Sequence, residues 1–419
     1  MDLNPVRGTR DFFPEELRLR TWLFEHFRAV GRQFNFEEYD APVLEYEALY
    51  IRKAGEEITE QLYNFEDKGG RRVALRPEMT PSLARLILQK GRSLSLPVKW
   101  FSIPQCWRYE RTTRGRKREH YQWNMDIIGV AGVTAEVELM GALVSLFRRL
   151  GLSEKELVLR VSNRKVLQQV LANLGVPAEN FAAVCILVDK LEKVPREAIE
   201  KDLQKLGLQG QLVDGILETL SLRSLDDLAG ILGEEDPAVL ELRELFQLAD
   251  FYGFGDWLQF DASLVRGLAY YTGTVFEVFD RQVNLRAVCG GGRYDRLLST
   301  FGGEDLPAVG FGFGDVVILE LLVDLKKLPE LPARVDNVVF PFDESMRGAA
   351  ARVASRLREL GHSVDMILEP KKLKWVLKHA DRLGAARLYF VAPDEWQQGL
   401  VNVKDLVNST DQKVAFENL

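Results

Sequence analysis

The densest run of positive charge in the sequence lies in one short segment. Between Trp107 and His120 the chain reads WRYERTTRGRKREH, with six basic side chains against two acidic ones. The whole chain carries a net charge of −7, which argues against broad, non-specific binding of nucleic acid. A site for a polyanion would therefore have to be local, and this segment is the candidate. The simpler alternative is a solvated polar surface.

The sequence around this segment predicts a long β-hairpin. VKWFSIPQCWRYE before it and HYQWNMDIIGV after it are rich in β-branched and aromatic residues, while TTRGRKR between them is typical of a polar turn. A period of two places Gln122, Asn124 and Asp126 on one face of the second strand and its apolar residues on the other. On the first strand, Arg108 and Glu110 share a face in the same way. An amphipathic hairpin with a solvated polar face would show the same pattern.

A helix start follows another group of polar residues upstream, in RRVALRPEMTPSLARLILQKG. Thr80 before Pro81 predicts an N-cap with proline at the first helical position, and Gly91 is placed to end the helix. Arg76 and Glu78 would then lie in a fixed turn at the mouth of this helix.

Two further segments combine reactive side chains with unusual backbone. In SLVRGLAYYTGTVFEVFD, Arg266 and the paired Tyr270 and Tyr271 come just before an alternating strand. In CGGGRYDRLL, three consecutive glycines permit close approach of the backbone. Taken singly, the first could be a stacked surface group and the second a tight turn.

The segment PAVGFGFGDVVILELL contains three glycines spaced by two, Gly310, Gly312 and Gly314. It does not match the dinucleotide-binding fingerprint GxGxxG, which would need glycine at Asp315, and no strand, helix and acidic residue follow at the right distance. A dinucleotide-dependent oxidoreductase is therefore disfavoured. The glycines fit close packing of a strand against a helix.

The overall composition indicates a globular, cytoplasmic protein. A length of 419 residues suggests two or three domains. No segment approaches the apolar run of about 20 residues that spans a bilayer, and the charged start MDLNPVRGTRDFFPEE is unlike a signal peptide. The three cysteines are odd in number and far apart, which favours a reducing compartment over a disulfide framework or a metal site.

Taken in order, these segments resemble the histidyl-tRNA synthetase family of class II aminoacyl-tRNA synthetases, and the resemblance runs through essentially the whole chain. FNFEEYDAPVLE, which contains Pro42, is similar to motif 1 of that family, LRPEMT to its amino-acid-binding segment, and QCWRYERTTRGRKREHYQWNMDIIG to its motif 2. LVRGLAYYTGTVFE resembles the histidine-specific segment, GGRYD follows it, and the glycine-spaced segment occupies the place of motif 3.

The resemblance implies a fold and an assembly. We expect an α+β catalytic domain built on an antiparallel sheet in residues 1–325, with a helical insertion at about 160–255. A linker at 326–335 would lead to an α/β anticodon-binding domain in residues 336–419. Motif 1 implies a homodimer.

The resemblance also implies which residues bind histidine. Glu78 and Thr80 would receive the ammonium group of L-histidine. Gln122, Asp126 and the two tyrosines Tyr270 and Tyr271 would surround its imidazole ring. Because such a site rejects amino acids without ring nitrogens, no editing domain would be needed.

For ATP, the resemblance assigns mainly positive side chains. Arg108 would hold the α-phosphate, and Arg266 would bridge that phosphate and the histidine carboxylate, so both also contact histidine and are the expected catalytic residues. Glu110 would bind the adenine and Arg116 the outer phosphates. Mg²⁺ would arrive with ATP, and we expect no permanently bound metal.

The chain departs from the family pattern at two places. Ala269 stands where many relatives have an aspartate. In motif 3 the usual glutamate and arginine are replaced by Val316 and Val317, so a cation that normally covers the ATP is missing. The basic hairpin offers three substitutes, Arg114, Arg116 and Arg118. Because the histidine-binding positions are retained, we interpret the chain as a divergent but active member.

The activity implied is that of a histidine–tRNA ligase, which activates L-histidine with ATP and transfers it to the 3′ end of tRNA(His). The alternative is a non-aminoacylating paralogue such as the regulatory subunit of ATP phosphoribosyltransferase, which usually lacks the C-terminal domain. Within that domain one predicted helix has a basic face that either contacts RNA or is simply solvated. Its lysines are Lys371, Lys372, Lys374 and Lys378.

Overall fold

The computed structural model of the chain describes residues 3–51, 60–188, 194, 196–208, 210–264, 270–282, 285–332 and 334–419, with the backbone alone at positions 178, 182, 185, 186, 188 and 196. These residues form two compact units, one of Met1–Asp11 with Arg20–Leu328 and one of Phe12–Leu19 with Pro329–Leu419. Within the described ranges, no helix is long and apolar enough to cross a membrane.

Twelve strands among the described residues belong to the first unit. They are β1 (Glu37–Glu38), β2 (Leu44–Tyr46), β3 (Tyr63–Glu66), β4 (Arg72–Leu75), β5 (Val98–Ser102), β6 (Gln105–Trp107), β7 (Glu119–Ile128), β8 (Leu157–Asn163), β9 (Leu258–Phe260), β10 (Thr274–Asp280), β11 (Cys289–Arg293) and β12 (Ala308–Gly314). Nine of them form one sheet in the order β1-β5-β7-β12-β11-β10-β8-β9, with β6 also paired to β7. Only its outer pairs β1–β5 and β8–β9 are parallel. The expected antiparallel sheet is therefore confirmed, and β2, β4 and β3 form a separate small sheet.

The helices up to residue 324 are interspersed with these strands along the chain. They are α1 (Pro14–Gln33), α2 (Ala48–Ile51), α3 (Thr80–Lys90), α4 (Thr134–Arg149), α5 (Arg164–Asn173), α6 (Phe181–Val188), α7 (Arg196–Lys205), α8 (Gln211–Leu220), α9 (Leu225–Leu232), α10 (Pro237–Phe251), α11 (Leu297–Thr300) and α12 (Asp315–Asp324). Helices α5 and α8 contribute to a small core of their own, whereas α9 and α10 contribute to the main core.

The main core lies against one face of the large sheet, as the alternation in β7 predicts. Trp123 is fully buried there, stacked on Phe27 at 4.9 Å and edge-on to Phe311 at 5.1 Å between ring centroids. Met125 on the same face of β7 is equally buried. Burial of these large side chains fixes which face of β7 is turned away from the core, because a slip of one residue would exchange the two faces.

Helix α3 begins one residue earlier than the sequence predicts. Thr80 is its first helical residue, so the N-cap position falls on Met79, which makes no side-chain capping bond. The prediction of Thr80 as N-cap is therefore wrong. Pro81 still lies in the first turn, where its missing N–H costs nothing. At the other end the predicted stop at Gly91 is confirmed, with a positive φ of 52°.

A buried ion pair joins β11 to helix α4. The guanidinium of Arg293 donates to both carboxylate oxygens of Glu136 at 2.6 Å, and it also donates to the carbonyl oxygens of Val130 and Gly132. Both charged side chains are almost fully buried. Such a pair is tolerated in a core only when its hydrogen bonds are satisfied, so it fixes β11 and the residues that follow it.

The second unit contains a five-stranded sheet. Its strands are β13 (Asn337–Pro341), β14 (Val364–Met366), β15 (Arg387–Val391), β16 (Leu400–Asp405) and β17 (Thr410–Ala415), in the order β14-β13-β15-β16-β17. Its helices are α13 (Arg347–Glu359), α14 (Leu373–Arg382) and α15 (Pro393–Gln397). The sequence predicts a largely parallel sheet, and β14, β13 and β15 are parallel. The last two strands instead form an antiparallel pair, because the connection between them is too short for a crossover.

Candidate functional site

The polar face of β7 lies beside a glycine face of β12. In this antiparallel pair Asp126 is opposite Gly310 and Gln122 is opposite Gly314, with Gly312 opposite Asn124. The next strand continues the pattern, because Gly290 and Gly292 of β11 pair with Gly312 and Gly310. Side chains from β7 can therefore lie across the sheet surface where glycines leave space. The glycine-spaced segment is therefore strand β12. Its glycines Gly310 and Gly312, together with Gly290 and Gly292 of β11, form the surface that we call the glycine floor.

Asp126 fills part of that space. A Cβ built at Gly310 would lie 2.0 Å from its Oδ1, so only glycine fits there. The carboxylate is 4% exposed, and its Oδ1 accepts a hydrogen bond from the hydroxyl of Tyr294. Burial raises the pKa of Asp126 to about 7, because a charge is poorly solvated in this setting. The group is thus poised to gain or lose a proton near neutral pH.

Gln122 occupies the space above Gly312. A Cβ at that glycine would lie 1.6 Å from Nε2 of Gln122. The side chain of Gln122 also interacts with the ring of His120. Gln122 and Asp126 thus present an amide and a carboxylate over the same glycine floor.

Three tyrosines enclose this floor. The rings of Tyr270 and Tyr271 are 5.1 Å apart between centroids, and Tyr270 is edge-on to Tyr294 at 6.0 Å. Tyr271 lies directly over Gly292, where a Cβ would come within 2.9 Å of its ring. The hydroxyl of Tyr270 donates to Oε2 of Glu78 at 3.0 Å. A continuous set of aromatic contacts therefore joins Asp126 to Glu78.

The turn that carries Glu78 is fixed by a buried arginine. Arg76 is 2% exposed, and its guanidinium donates to Oδ1 of Asp40 at 2.9 Å and to the carbonyl oxygens of Ala41 and Gln105. Glu78 itself is 6% exposed. Arg108 donates from Nε to the carbonyl of Pro77 at 2.9 Å, next to Glu78. The predicted fixed turn is thus tied to the first strand of the hairpin.

The basic hairpin has the predicted form, with a turn at 113–116. Its arginines differ in their partners: Arg116 pairs with Glu110, and Arg114 pairs with Glu320 at 3.1 Å and also with Asp324. Arg118 lies over the ring of Tyr109 at 3.9 Å. Arg114 and Arg118 therefore have roles in holding the hairpin. Arg108 is directed to the turn that carries Glu78, and Arg116 is directed to Glu110.

An ion-pair network holds the start of α12 against β7. Arg10 donates to Oε1 of Glu119 at 2.8 Å and to Oδ2 of Asp315 at 3.0 Å. The other oxygen of Asp315 accepts from the backbone N–H of Tyr121 at 2.9 Å. Both carboxylates are buried, so the network anchors the N-terminal segment, the helix and the strand in one place.

The structure brings most of the predicted site residues together. Glu78, Tyr270, Tyr271, Gln122 and Asp126 line one continuous surface, Thr80 follows Glu78 at the start of α3, and Arg108 adjoins the same turn. Glu110 and Arg116 lie together in the hairpin. Arg266 and Ala269 lie outside the described residues.

Two contributors were not predicted from the sequence. Tyr294 belongs to the noted segment GGRYD, but nothing in the pattern shows that its hydroxyl reaches Asp126. Arg10 belongs to the N-terminal segment RGTRDFF, and its link to Asp315 joins residues 305 positions apart. A buried acid directly after three spaced glycines was the only available signal for a partner of this kind.

Comparison with protein-family models gives two matches. The family described as histidyl-tRNA synthetase matches residues 8–314. The family described as anticodon binding domain matches residues 336–419. The two matches together span almost the whole chain.

Curated relatives match over the full length. A histidine–tRNA ligase of Arabidopsis thaliana, named as chloroplastic/mitochondrial, is 57% identical over all of this chain and 86% of its own length. A histidine–tRNA ligase of Opitutus terrae is 40% identical over 98% of this chain and 96% of its own. Among solved structures, histidyl-tRNA synthetase from Nostoc has a TM-score of 0.82 at 24% identity, covering 99% of this chain and 97% of that one. This last likeness concerns the fold.

The raised pKa of Asp126 predicts a specific dependence of stability on pH. The pKa is about 7 in the folded chain and about 3.9 in an unfolded one. Between these values the folded chain holds a proton that the unfolded chain releases, so the stability contribution of Asp126 falls from about pH 4 to about pH 7 and levels off above. We expect the free energy of unfolding of the wild type, relative to Asp126→Asn, to fall over that range in urea titrations. A difference independent of pH would contradict the assignment.

Proposed function

The chain belongs to the histidyl-tRNA synthetase family and acts as a histidine–tRNA ligase, a class II aminoacyl-tRNA synthetase, and we propose that the glycine-floored site is where it activates L-histidine with ATP. The observation that carries this proposal is the pair of polar side chains over Gly310 and Gly312, the carboxylate of Asp126 and the amide of Gln122. An imidazole ring has two nitrogens that need partners in this geometry.

Recognition of the ring follows from these two side chains. The carboxylate of Asp126 would accept from one ring N–H, and the amide of Gln122, which lies over Gly312 on the same floor, would make a second polar contact. Tyr270 and Tyr271 would pack on the ring. An amino acid without ring nitrogens would leave buried acceptors unpaired, which can reduce its use by about 10⁴- to 10⁵-fold. This supports a site that selects histidine without editing.

The ammonium group of histidine would bind at the other end of the tyrosines. Glu78 is buried and already accepts a hydrogen bond from Tyr270, and its carboxylate can accept charge-assisted hydrogen bonds from an ammonium. Thr80 is the first residue of α3, and its hydroxyl would be a further partner. The distance between Glu78, which would bind the ammonium group, and Asp126, which would bind the ring, would set the orientation of histidine.

Activation joins two anions, and the cations of the site would bring them together. A carboxylate oxygen of histidine attacks the α-phosphorus of ATP, the new O–P bond forms, and the bond from the α-phosphorus to the bridging oxygen breaks to release pyrophosphate. Arg108 would hold the α-phosphate, and Arg266 would bridge it to the histidine carboxylate. Fixed positive charge lowers the barrier by positioning and by stabilising the charge in the transition state. Arginine suits both contacts because it can bind in a bidentate manner.

The remaining part of ATP would extend along the basic hairpin. Glu110 would bind the adenine and Arg116 the outer phosphates. Their ion pair in the structure places a donor and an acceptor side by side, and binding of ATP would separate them. ATP would arrive with Mg²⁺ as part of the substrate, and we propose no permanently bound metal.

The second step transfers histidine from the adenylate to the 3′ end of tRNA(His). The C-terminal domain supports binding of the tRNA, since its family is described by anticodon binding. Lys374 and Lys378 lie one turn apart and exposed on α14, and Lys371 and Lys372 precede the helix, also exposed. We propose the basic face for contact with the RNA backbone. The domain also disfavours a regulatory paralogue, and we keep the predicted division at 1–325, 326–335 and 336–419, with the insertion at 160–255, as a proposal.

We also propose a homodimer formed through the small sheet. Several apolar side chains of motif 1 and its neighbours are exposed, and an exposed apolar cluster of this kind is typical of an interface. They are Val43, Leu44, Tyr46, Ile51 and Phe65.

For the compartment, we propose the cytoplasm. The thiol of Cys106 is buried and free, which suits a reducing environment. Subcellular fractionation tests this, and recovery from an organelle, the location named for the Arabidopsis relative, would contradict it.

The activity is tested by exchange of labelled pyrophosphate into ATP. We expect exchange that depends on L-histidine and MgATP, because formation of the adenylate is reversible. Glutamine and arginine serve as control amino acids and should give none. Absence of histidine-dependent exchange would refute the ligase activity.

The floor is tested by a matched pair of glycine substitutions on one strand. Gly312→Ala would drive Gln122 from its position, whereas at Gly314 an added Cβ meets nothing within 4 Å. We expect Gly312→Ala to raise the KM for histidine about 10- to 100-fold, the value of one or two hydrogen bonds, with the KM for ATP unchanged. Gly314→Ala should behave as the wild type. Equal KM values for the two variants would show that Gln122 does not bind the ring.

The dimer is tested by placing a charge on its proposed interface. We expect Leu44→Asp to shift the mass measured by light scattering from dimer to monomer, because the interface would have to desolvate an unpaired carboxylate. Ile231→Asp, at an exposed position of α9, is the matched control and should leave the dimer intact. A monomeric wild type would overturn the proposal.

A further inference from the structure

The position that motif 3 usually gives to an arginine cannot supply a cation in this chain. Val317 is 5% exposed and packs in the main core. The turn of the basic hairpin lies directly on it, since a Cβ built at Gly115 would be 3.4 Å from Cγ2 of Val317. Arg114 secures the same turn through its ion pairs with α12. The turn of the basic hairpin therefore packs on the first turn of α12.

Arg286 approaches the same turn from another strand connection. The Cβ built at Gly115 would lie 3.8 Å from Cγ of Arg286, so Arg286 adjoins the same turn as Val317. The neighbours of Arg286 are anchored: the N–H of Leu285 donates to Oδ2 of Asp280 at 3.0 Å, and Val288 donates to the carbonyl of Val278 at 2.8 Å. The backbone that carries Arg286 is thus held in place by hydrogen bonds on both sides, within the connection between β10 and β11.

The charged groups around Arg286 are two arginines and two glutamates. Its side chain is exposed, yet enough protein surrounds it that desolvation is the largest effect lowering its pKa, and repulsion by Arg116 is the next. Arg108 lowers the pKa further, while Glu110 and Glu277 raise it. Among the described residues, Arg286 forms no ion pair. A guanidinium held beside two others without a carboxylate of its own favours the binding of an anion.

The positive charge of these arginines also acts on a neighbouring histidine. The pKa of His120 is lowered to about 3, first by burial and then by the positive charge of Arg108, with Arg10 and Arg286 acting in the same direction. His120 therefore stays neutral at physiological pH and adds no charge. The positive potential comes from the arginines alone.

We propose that Arg286 replaces the missing motif 3 arginine and binds the outer phosphates of ATP, and hence the pyrophosphate that leaves. The proposal rests on the proposed function of this site. The outer phosphates are assigned because Arg286 lies beside Gly115, the residue that precedes Arg116, which would bind them. The cation beside the hairpin turn would thus come from the β10–β11 connection and not from helix α12.

The test compares nucleotides that differ only in their phosphates. Binding of MgATP and of AMP is measured by calorimetry without histidine, in the wild type and in Arg286→Ala. We expect ATP to bind about 10- to 100-fold more weakly to the variant, the value of one charge-assisted contact, and AMP to bind within about two-fold. Arg286→Lys keeps the charge but loses the bidentate geometry, so its affinity for ATP should lie between those of the wild type and Arg286→Ala.

The matched control is Arg281→Ala in the same connection, whose guanidinium donates to the carbonyl of Glu154. It removes the same charge and should leave ATP binding unchanged. Unchanged ATP binding in Arg286→Ala, or an equal loss of ATP and AMP, would overturn the proposal. Because binding is measured without histidine, this result is separate from the ligase activity. In the exchange assay, the KM for ATP and pyrophosphate should rise and the KM for histidine should not.

Discussion

The pairing register between β7 and β12 is the constraint on which the rest of the site depends. Asp126 faces Gly310 and Asn124 faces Gly312 across this pair, so the side chains of β7 can lie flat over strand positions that carry none. A slip of one residue would place Phe311 and Phe313 on the ligand side and bury the polar residues of β7 in the core. The stacking of Trp123 between aromatic rings opposes that slip. Packing on one face of the sheet thus determines the chemistry of the other face.

The other elements hold charged groups against this fixed surface. Arg76 locks the turn that presents Glu78, and the Arg293–Glu136 pair locks the strand that carries Gly292 and leads to Tyr294. The network of Arg10, Glu119 and Asp315 fixes the start of α12. All three use buried or partly buried arginines whose hydrogen bonds are largely satisfied within the protein. The arginines proposed to bind substrate, Arg108, Arg116 and Arg286, differ in keeping exposed or partly exposed guanidinium groups. This division separates structural positive charge from the charge that is free to meet phosphate.

Local periodicity explains which features could be predicted from the sequence. The two faces of β7 follow from its alternation, and the antiparallel character of the large sheet follows from the family resemblance; the structure confirms both. The N-cap at Thr80 is wrong by one residue, because the turn fixed by Arg76 places Met79 at that position. The role of the glycines in β12 could not be seen, since it depends on which side chains lie across them. Arg286 lies between two recognisable motifs, and only the tertiary structure places it beside Gly115.

The central claim is that histidine is recognised over the glycine floor by Asp126 and Gln122. It is tested most directly by a crystal structure with a hydrolysis-resistant histidyl-adenylate analogue. The account predicts the imidazole above Gly310 and Gly312, with one ring nitrogen within about 3.2 Å of the Asp126 carboxylate and the other within the same distance of the Gln122 amide, and with the α-amino group beside Glu78. An imidazole bound elsewhere, with neither nitrogen near Asp126 or Gln122, would contradict it.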